Sequence, residues 1–161
     1  MDLKHQTVVV TGGSRGLGLG VVEALVERAA QVVVVARNPA DLAAVRRRLD
    51  VATVAADIVD PLAAARVLAE RRPAVLILNA GTTPGLGPLH QQTWESFAAP
   101  WETDVKAGFH WLQAALKTPL SPGSRVLVTS SGAAVAGSPL SGGYAGAKRM
   151  LWLMANYAHG V

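Results

Sequence analysis

The sequence predicts an α/β fold, a doubly wound parallel sheet with helices on both faces. Three observations predict it. Short valine-rich runs alternate with helix-length segments as far as Leu78. The runs are apolar throughout rather than at every second position, which implies burial on both faces. The links between runs and helices are short, as βαβ units require. At 161 residues, the chain has the length of one domain.

Residues 6–11, with Val8, Val9 and Val10, read as the first strand. Residues 17–28 follow with Leu17, Val21 and Leu25 at helical spacing. A second valine run, 31–36, is the second strand. Residues 41–49 are a short Ala/Arg helix, and 51–56 a third strand ended by Asp57. The helix over 61–71 carries Pro61 in its first turn, where the missing N–H costs no bond. Residues 74–78 are the fourth strand. After Asn79 the rhythm changes. Residues 80–90 hold three glycines and two prolines and read as a loop. Residues 93–99 are a short helical piece broken at Pro100, and 101–117 a long helix. Residues 126–130 are the fifth strand, 132–143 a small-residue loop, and 144–159 the last helix. No repeat or linker divides the chain, so one domain spans 1–161.

Composition excludes several classes. There is no cysteine, which rules out a disulfide scaffold, thiol catalysis and a thiolate zinc site. No metal site is expected. Half the residues are apolar and 16% are charged, enough for a packed core. The net charge of +4 is dispersed: residues 1–72 carry 10 basic and 8 acidic side chains, and residues 73–161 carry 5 and 3. The one basic run, Arg46-Arg47-Arg48, lies on a helix flanked by Asp41 and Asp50 and reads as a solvated face. Nucleic-acid binding is therefore not expected. With neither a signal peptide nor a run of 18 apolar residues, the chain is expected to be soluble and cytoplasmic, without membrane contact.

The turn Thr11-Gly12-Gly13-Ser14-Arg15-Gly16-Leu17-Gly18 joins the first strand to the first helix. Glycines there permit a tight turn and close approach of backbone to a pyrophosphate. The helix start adds free N–H groups and the positive end of a dipole. In that setting the cluster points to a dinucleotide.

The spacing is T-G-x-x-x-G-x-G, on Thr11, Gly12, Gly16 and Gly18, rather than the common G-x-G-x-x-G. This resembles the short-chain dehydrogenase/reductase family. Further motifs fall in that family's order. Asp57 ends the third strand, where the family places an aspartate beside the adenine. Asn79-Ala80-Gly81 matches the family's N-A-G after the fourth strand. Tyr144 and Lys148 match Y-x-x-x-K, and Ser131 precedes Tyr144 by 13 residues, as in the family. The resemblance runs from about residue 5 to the last. It implies a Rossmann-like fold and an oxidoreductase that moves a hydride between a nicotinamide dinucleotide and a carbonyl or alcohol substrate. It implies cofactor contacts from Gly12, Ser14, Arg15, Gly16, Leu17, Gly18, Arg37, Asp57, Asn79, Ala80, Gly81, Tyr144 and Lys148.

The choice of cofactor turns on charge. A carboxylate about 20 residues after the glycines selects NAD by holding the ribose 2′-hydroxyl. Here the second strand ends Ala36-Arg37-Asn38, with no acid at Ala36. A 2′-phosphate is held by guanidinium groups, and Arg15 supplies a second one. The resemblance thus implies NADP rather than NAD.

Tyr144 and Lys148 are four residues apart and share a helix face. An unassisted phenol is a poor proton shuttle at neutral pH, and a nearby ammonium and an oxidised nicotinamide favour the phenolate. The resemblance then implies Tyr144 as the acid/base and Ser131 as the group that holds the substrate oxygen. Ser130 is the alternative by one position, but it stands 14 residues from Tyr144, so Ser131 is preferred. The family's fourth residue is an asparagine in the helix before the fifth strand, where it helps organise a proton-relaying water. Aligning on residues 104–109 places Asp104 there. Aspartate serves if backbone carbonyl geometry does the work; the relay is altered if a neutral side chain is needed.

The family's fold continues well past this chain, through sixth and seventh strands, a P-G segment at the nicotinamide and a mobile substrate loop. None follows here before Val161, and a fragment of a longer protein is expected in preference to a natural truncation. Substrate identity is not legible. The helix 144–159 is apolar nearly all round, with Met150, Leu151, Trp152, Leu153 and Met154, and the helix 101–117 adds Trp101, Phe109, Trp111 and Leu112. The resemblance implies that these helices pair across a two-fold axis in a homodimer or homotetramer; the alternative is that the missing part covers them. A competing function is a catalytically silent dinucleotide-binding sensor or interaction subunit. Asp104 and the short chain argue for it, and Ser131, Tyr144 and Lys148 against it.

Overall fold

A computed structural model describes residues 1–118 and 120–159. Val161, where the expected single domain ends, lies outside the described residues. The elements run β1 (Thr7–Thr11), α1 (Gly16–Glu27), β2 (Gln31–Ala36), α2 (Pro39–Arg48), β3 (Ala52–Ala55), α3 (Pro61–Arg71) and β4 (Val75–Leu78). They continue through α4 (Trp94–Pro100), α5 (Lys106–Lys117), β5 (Arg125–Val128), α6 (Ala133–Ala136) and α7 (Gly142–His159). All strand pairs are parallel, in the order β3-β2-β1-β4-β5. The winding reverses at β1, between β2 on one side and β4 on the other. That reversal opens a crevice at the carboxyl ends of the strands, where open α/β sheets bind ligands.

Successive side chains alternate between the two faces of the sheet. Val8, Val10, Val32, Val34, Val75 and Ile77 pack with Val22, Leu25, Leu42 and Val45 of α1 and α2. Val9, Val33, Val35, Leu76 and Leu78 pack with Val67 and Leu68 of α3 and Trp111 and Leu112 of α5. Over the inner strands β1, β2 and β4 both faces are covered and the run needs no polar position, whereas β3 is only partly buried and β5 leaves Val126 and Leu127 exposed. Each buried valine contributes roughly 1.5–3 kcal/mol. Trp111 is fully buried, and its Nε1–H donates to the carbonyl of Ile58 at 3.0 Å, so its polar group is satisfied. Asn38 caps α2 by accepting the N–H groups of Ala40 and Asp41, and Asp60 caps α3 through Leu62. The basic run on α2 is exposed, with Arg48 paired to Glu23.

Three expectations need correction. Pro100 does not break the helix: α4, a π-helical turn over Trp101–Val105 and α5 follow without a gap. Pro100 itself has helical geometry (φ −64°, ψ −28°). One backbone bond is lost there, but packing against α7 outweighs it. Trp101 Nε1–H donates to the carbonyl of Gly143 at 2.9 Å, and a Cβ on Gly143 would overlap the backbone of Phe97. Second, the loop 132–143 contains α6, four small residues too short to show a helical period. Third, β5 ends at Val128, so Ser130 and Ser131 both stand in the turn beyond it. The other strands and helices lie within one or two residues of their predicted bounds, β2 and α3 without any difference.

Candidate active site

The carboxyl ends of the strands open onto a cleft of about 860 Å³. Its walls are the glycine turn (Gly12, Ser14, Arg15, Gly16, Leu17, Gly18), the end of β2 (Ala36, Arg37, Asn38), the loop after β4 (Asn79 to Thr83), Thr129 and Ser130 after β5, and Tyr144 and Lys148 of α7.

The glycines are required by geometry at two points. Gly12 has φ +68°, and a Cβ there would stand 2.7 Å from the Cα of Ala80. Gly18 lies so close to Gly12 that a Cβ would overlap its carbonyl oxygen and come within 2.5 Å of Asn79 Nδ2. The turn and the loop after β4 are stitched together. The Thr11 hydroxyl donates to the carbonyl of Ile77 at 3.3 Å and accepts the N–H groups of Asn79 at 3.0 Å and Ala80 at 3.2 Å. Arg15 at the N-cap makes no capping bond, and the first turn of α1 contains no acid. The opening N–H groups of α1 and its dipole are thus left uncovered beside the cleft.

Arg15 and Arg37 both line the cleft, and Ala36 is buried between the sheet and α2. Asp41 also lines it, an acid whose place sequence reasoning did not weigh. Asp57 is exposed, and its Oδ1 accepts the N–H of Val59 at 3.2 Å; its neighbour Ile58 lines the cleft.

Lys148 is buried, with its Nζ 5.5 Å from the centre of the Tyr144 ring and 3.0 Å from Asp104 Oδ2. Asp104 belongs to the π-helical turn. It lies beneath the cleft rather than on its wall, and its Oδ1 accepts the N–H of Thr82 at 2.8 Å. Of the two serines, Ser130 lines the cleft and Ser131 does not. The Ser130 hydroxyl donates to the carbonyl of Lys148 at 3.1 Å, and Ser131 Oγ accepts the N–H of Ala133 at the start of α6. Sequence reasoning missed Thr82, Thr83, Thr103 and Thr129 as wall residues. Only Thr82 and Thr83 carried a signal, their position directly after Asn79-Ala80-Gly81.

Comparison with known proteins bears on the family and the fold. A family profile described as short chain dehydrogenase matches residues 6–159. The short chain dehydrogenase/reductase AacuD of Aspergillus aculeatus is 35% identical over 152 residues, covering 89% of this chain and 54% of that protein. Human L-xylulose reductase is 35% identical over 106 residues, covering 65% of this chain and 43% of that protein. The chain thus spans about half the length of these curated relatives. Among solved structures, a blue fluorescent protein from a metagenomic library, in complex with NADPH, superposes with a TM-score of 0.82 at 26% identity, over 96% of this chain and 67% of that one. A short-chain dehydrogenase/reductase from Brucella melitensis superposes at 0.87 and 21% identity, a likeness of fold, over 96% of this chain and 68% of that one. The profile match takes in every strand of the sheet and both helices that carry Asp104, Tyr144 and Lys148, and the chain belongs to the short-chain dehydrogenase family.

Proposed function

We propose that this chain is the dinucleotide-binding part of an NADP-dependent oxidoreductase that moves a hydride between NADP(H) and a small carbonyl or alcohol substrate. The observation that carries the proposal is one cleft with the glycine turn and two arginines among its walls and the Tyr144–Lys148 pair on α7. The site fits the cofactor. Gly12 and Gly18 bring backbone where any Cβ would clash, and the space over Gly16 is open for 4 Å. Uncapped N–H groups at the start of α1 suit a pyrophosphate. Arg15 and Arg37 suit a 2′-phosphate. NADPH, when bound, supplies the hydride.

The chain's own residues do the rest. Tyr144 passes its phenolic proton to a carbonyl oxygen during reduction, or accepts one from an alcohol. Lys148 holds a positive charge beneath the phenol. A serine after β5 orients the substrate oxygen. The family spacing favours Ser131 and the wall favours Ser130. The relative bound to NADPH and the reductases among the relatives support the reading. The outer faces of α5 and α7 expose Phe109, Trp152 and Leu153, which suits a homodimer or homotetramer through these helices. No described helix is long and apolar enough to cross a membrane, in keeping with a cytoplasmic enzyme.

A second reading, a module that binds dinucleotide without chemistry, is favoured by one observation: Lys148 already has a carboxylate partner in Asp104. One experiment separates the two. Fluorescence titration of the whole protein with NADPH and NADH, followed by NADPH oxidation against a panel of aldehydes and ketones, is expected to show preference for NADPH and turnover. NADPH binding without turnover of any carbonyl points to the silent module, and a protein that binds neither cofactor overturns both readings.

A further inference from the structure

We infer that Gln92 is a positioning residue: it ties together the two loops that flank the Tyr144 end of the cleft, and so sets affinity for the carbonyl substrate but not for the dinucleotide. The inference rests on the reading of that end as the place where a carbonyl is reduced.

β4 and β5 are neighbours in the sheet, so the segments that follow them rise side by side. The first forms the cleft wall as far as Thr83 and reaches Gly85 two residues later. The second runs through α6 to Leu140, four residues before Tyr144. The backbone joins them at one bond, from the Gly87 N–H to the Leu140 carbonyl at 2.8 Å. The half-buried Gln92 side chain reinforces that joint. Its Nε2 donates to the Gly87 carbonyl at 2.9 Å and, over longer distances, to those of Gly85 at 3.4 Å and Leu140 at 3.5 Å. Carbonyl oxygens only accept, so the residue facing them has to be a donor. The other end of the amide is anchored, since Oε1 accepts the Ser96 hydroxyl at 2.6 Å. Ser96 sits in the first turn of α4, where its N–H is held by the Thr93 hydroxyl. The loop is shaped to this pair: a Cβ on Gly85 would overlap Ser96 Oγ.

The dinucleotide walls are held by other bonds. The Thr11 hydroxyl and the Asn79 amide tie the glycine turn to the start of the loop after β4. The start of α7 has its own supports, Trp101 Nε1–H on the Gly143 carbonyl and the Phe97 backbone against Gly143. Losing the bonds of Gln92 therefore frees residues 84–91 and the segment up to Leu140, while the glycine turn and Tyr144 keep theirs. A loosened wall weakens the binding of substrate and transition state alike, which raises KM and spares kcat.

The test uses two variants of the whole protein. Gln92→Glu keeps size and shape but sets an acceptor against three carbonyls, and Gln92→Leu keeps bulk without any polar bond. The probe is whichever aldehyde or ketone the unmutated protein reduces fastest, from a panel that includes 4-nitrobenzaldehyde and cyclohexanone. Both variants are expected to raise its KM about fivefold or more, with kcat and the NADPH Kd within about twofold. A residue that only fills space predicts a Glu variant close to the unmutated protein. An unchanged KM in both overturns the inference, and so does an NADPH affinity that falls as far as KM rises. Ser96→Ala removes only the anchor of the amide and carries the test if position 92 tolerates no change. It is expected to raise KM by about two- to fivefold, and an unchanged KM there counts against the inference in the same way. Hydrogen exchange of the Gly87 amide, read by NMR, needs no turnover. In Gln92→Glu and in Ser96→Ala it is expected to speed up about tenfold or more as the joint opens, and an unchanged rate overturns the inference. If carbonyls are reduced and KM does not respond, only this inference falls. If the unmutated protein binds NADPH and reduces no carbonyl, the oxidoreductase reading falls and takes the role in substrate affinity with it.

Discussion

The side-chain amide of Asn79 donates to two carbonyls of the glycine turn, those of Thr11 and Gly12, each at 3.3 Å. The loop after β4 is therefore tied to the backbone after β1, which joins two walls of the cleft. Asn79→Ala removes both bonds and leaves two part-buried carbonyls without that donor. At about 1 kcal/mol per bond, the expected loss of stability is about 1–2 kcal/mol, read by chemical denaturation. NADPH affinity is expected to fall in parallel. Loss of stability with unchanged affinity would show that the turn holds its shape without Asn79.

Two glycines of α1, two residues apart, are expected to respond with opposite signs. A methyl at Gly18 overlaps the Gly12 carbonyl and presses on Asn79, and both are backbone or anchored. Gly18→Ala is expected to cost about 1–3 kcal/mol and to weaken NADPH binding. Gly20 meets nothing within 4 Å and lies in the helix. Gly20→Ala is expected to stabilise by roughly 0.5–1 kcal/mol through helix propensity and a less flexible unfolded chain. Thermal melts of the two variants decide it, and equal signs would contradict the packing described here.

Much of this fold is written in local pattern. The bounds of α3 follow from Pro61 and Arg71, and those of β2 from its unbroken valines, because propensity and burial agree at those places. Where they disagree the sequence misleads. Proline at position 100 signals a break, yet the contact between Phe97 and Gly143 spans more than 40 residues and holds the helix together. The site divides in the same way. Gly12, Gly16, Gly18, Tyr144 and Lys148 have fixed spacings and are legible. The choice of Ser130 for the wall depends on where β5 ends and on α6 drawing in Ser131, and neither leaves a periodic trace. The contact of Asp104 with Lys148 joins residues 44 apart in the chain and depends on a π-helical turn that no spacing announces.

Trp111 tests how far the α3–α5 face of the sheet depends on one polar bond inside an apolar core. The ring is fully buried, and its N–H donates to the Ile58 carbonyl. Trp111→Phe removes that donor and part of the ring volume together. The cavity and the unpaired carbonyl add, for an expected cost of about 2–4 kcal/mol. Equilibrium denaturation measures it. Because Ile58 also lines the cleft, NADPH affinity is expected to drop as well, which a purely remote core position would not cause.

Cofactor choice is expected to follow the charges at the end of β2. Arg37 and Arg15 line the cleft, Ala36 supplies no carboxylate, and Asp41 stands on the same wall. Arg37→Asp replaces attraction for a 2′-phosphate by repulsion. The expected loss is about 1.5–3 kcal/mol of NADPH binding, the range of a hydrogen bond to a charged group, with NADH affinity unchanged or improved. Asp41→Asn removes a negative charge and is expected to tighten NADPH severalfold without affecting NADH. Both arginines are exposed, so the preference for NADPH is expected to shrink as salt rises. Paired fluorescence titrations at low and high ionic strength measure all three effects. If Arg37→Asp binds NADPH as tightly as the unmutated protein does, the 2′-phosphate is held elsewhere. If the preference does not change with salt, it rests on shape rather than on these two guanidinium groups.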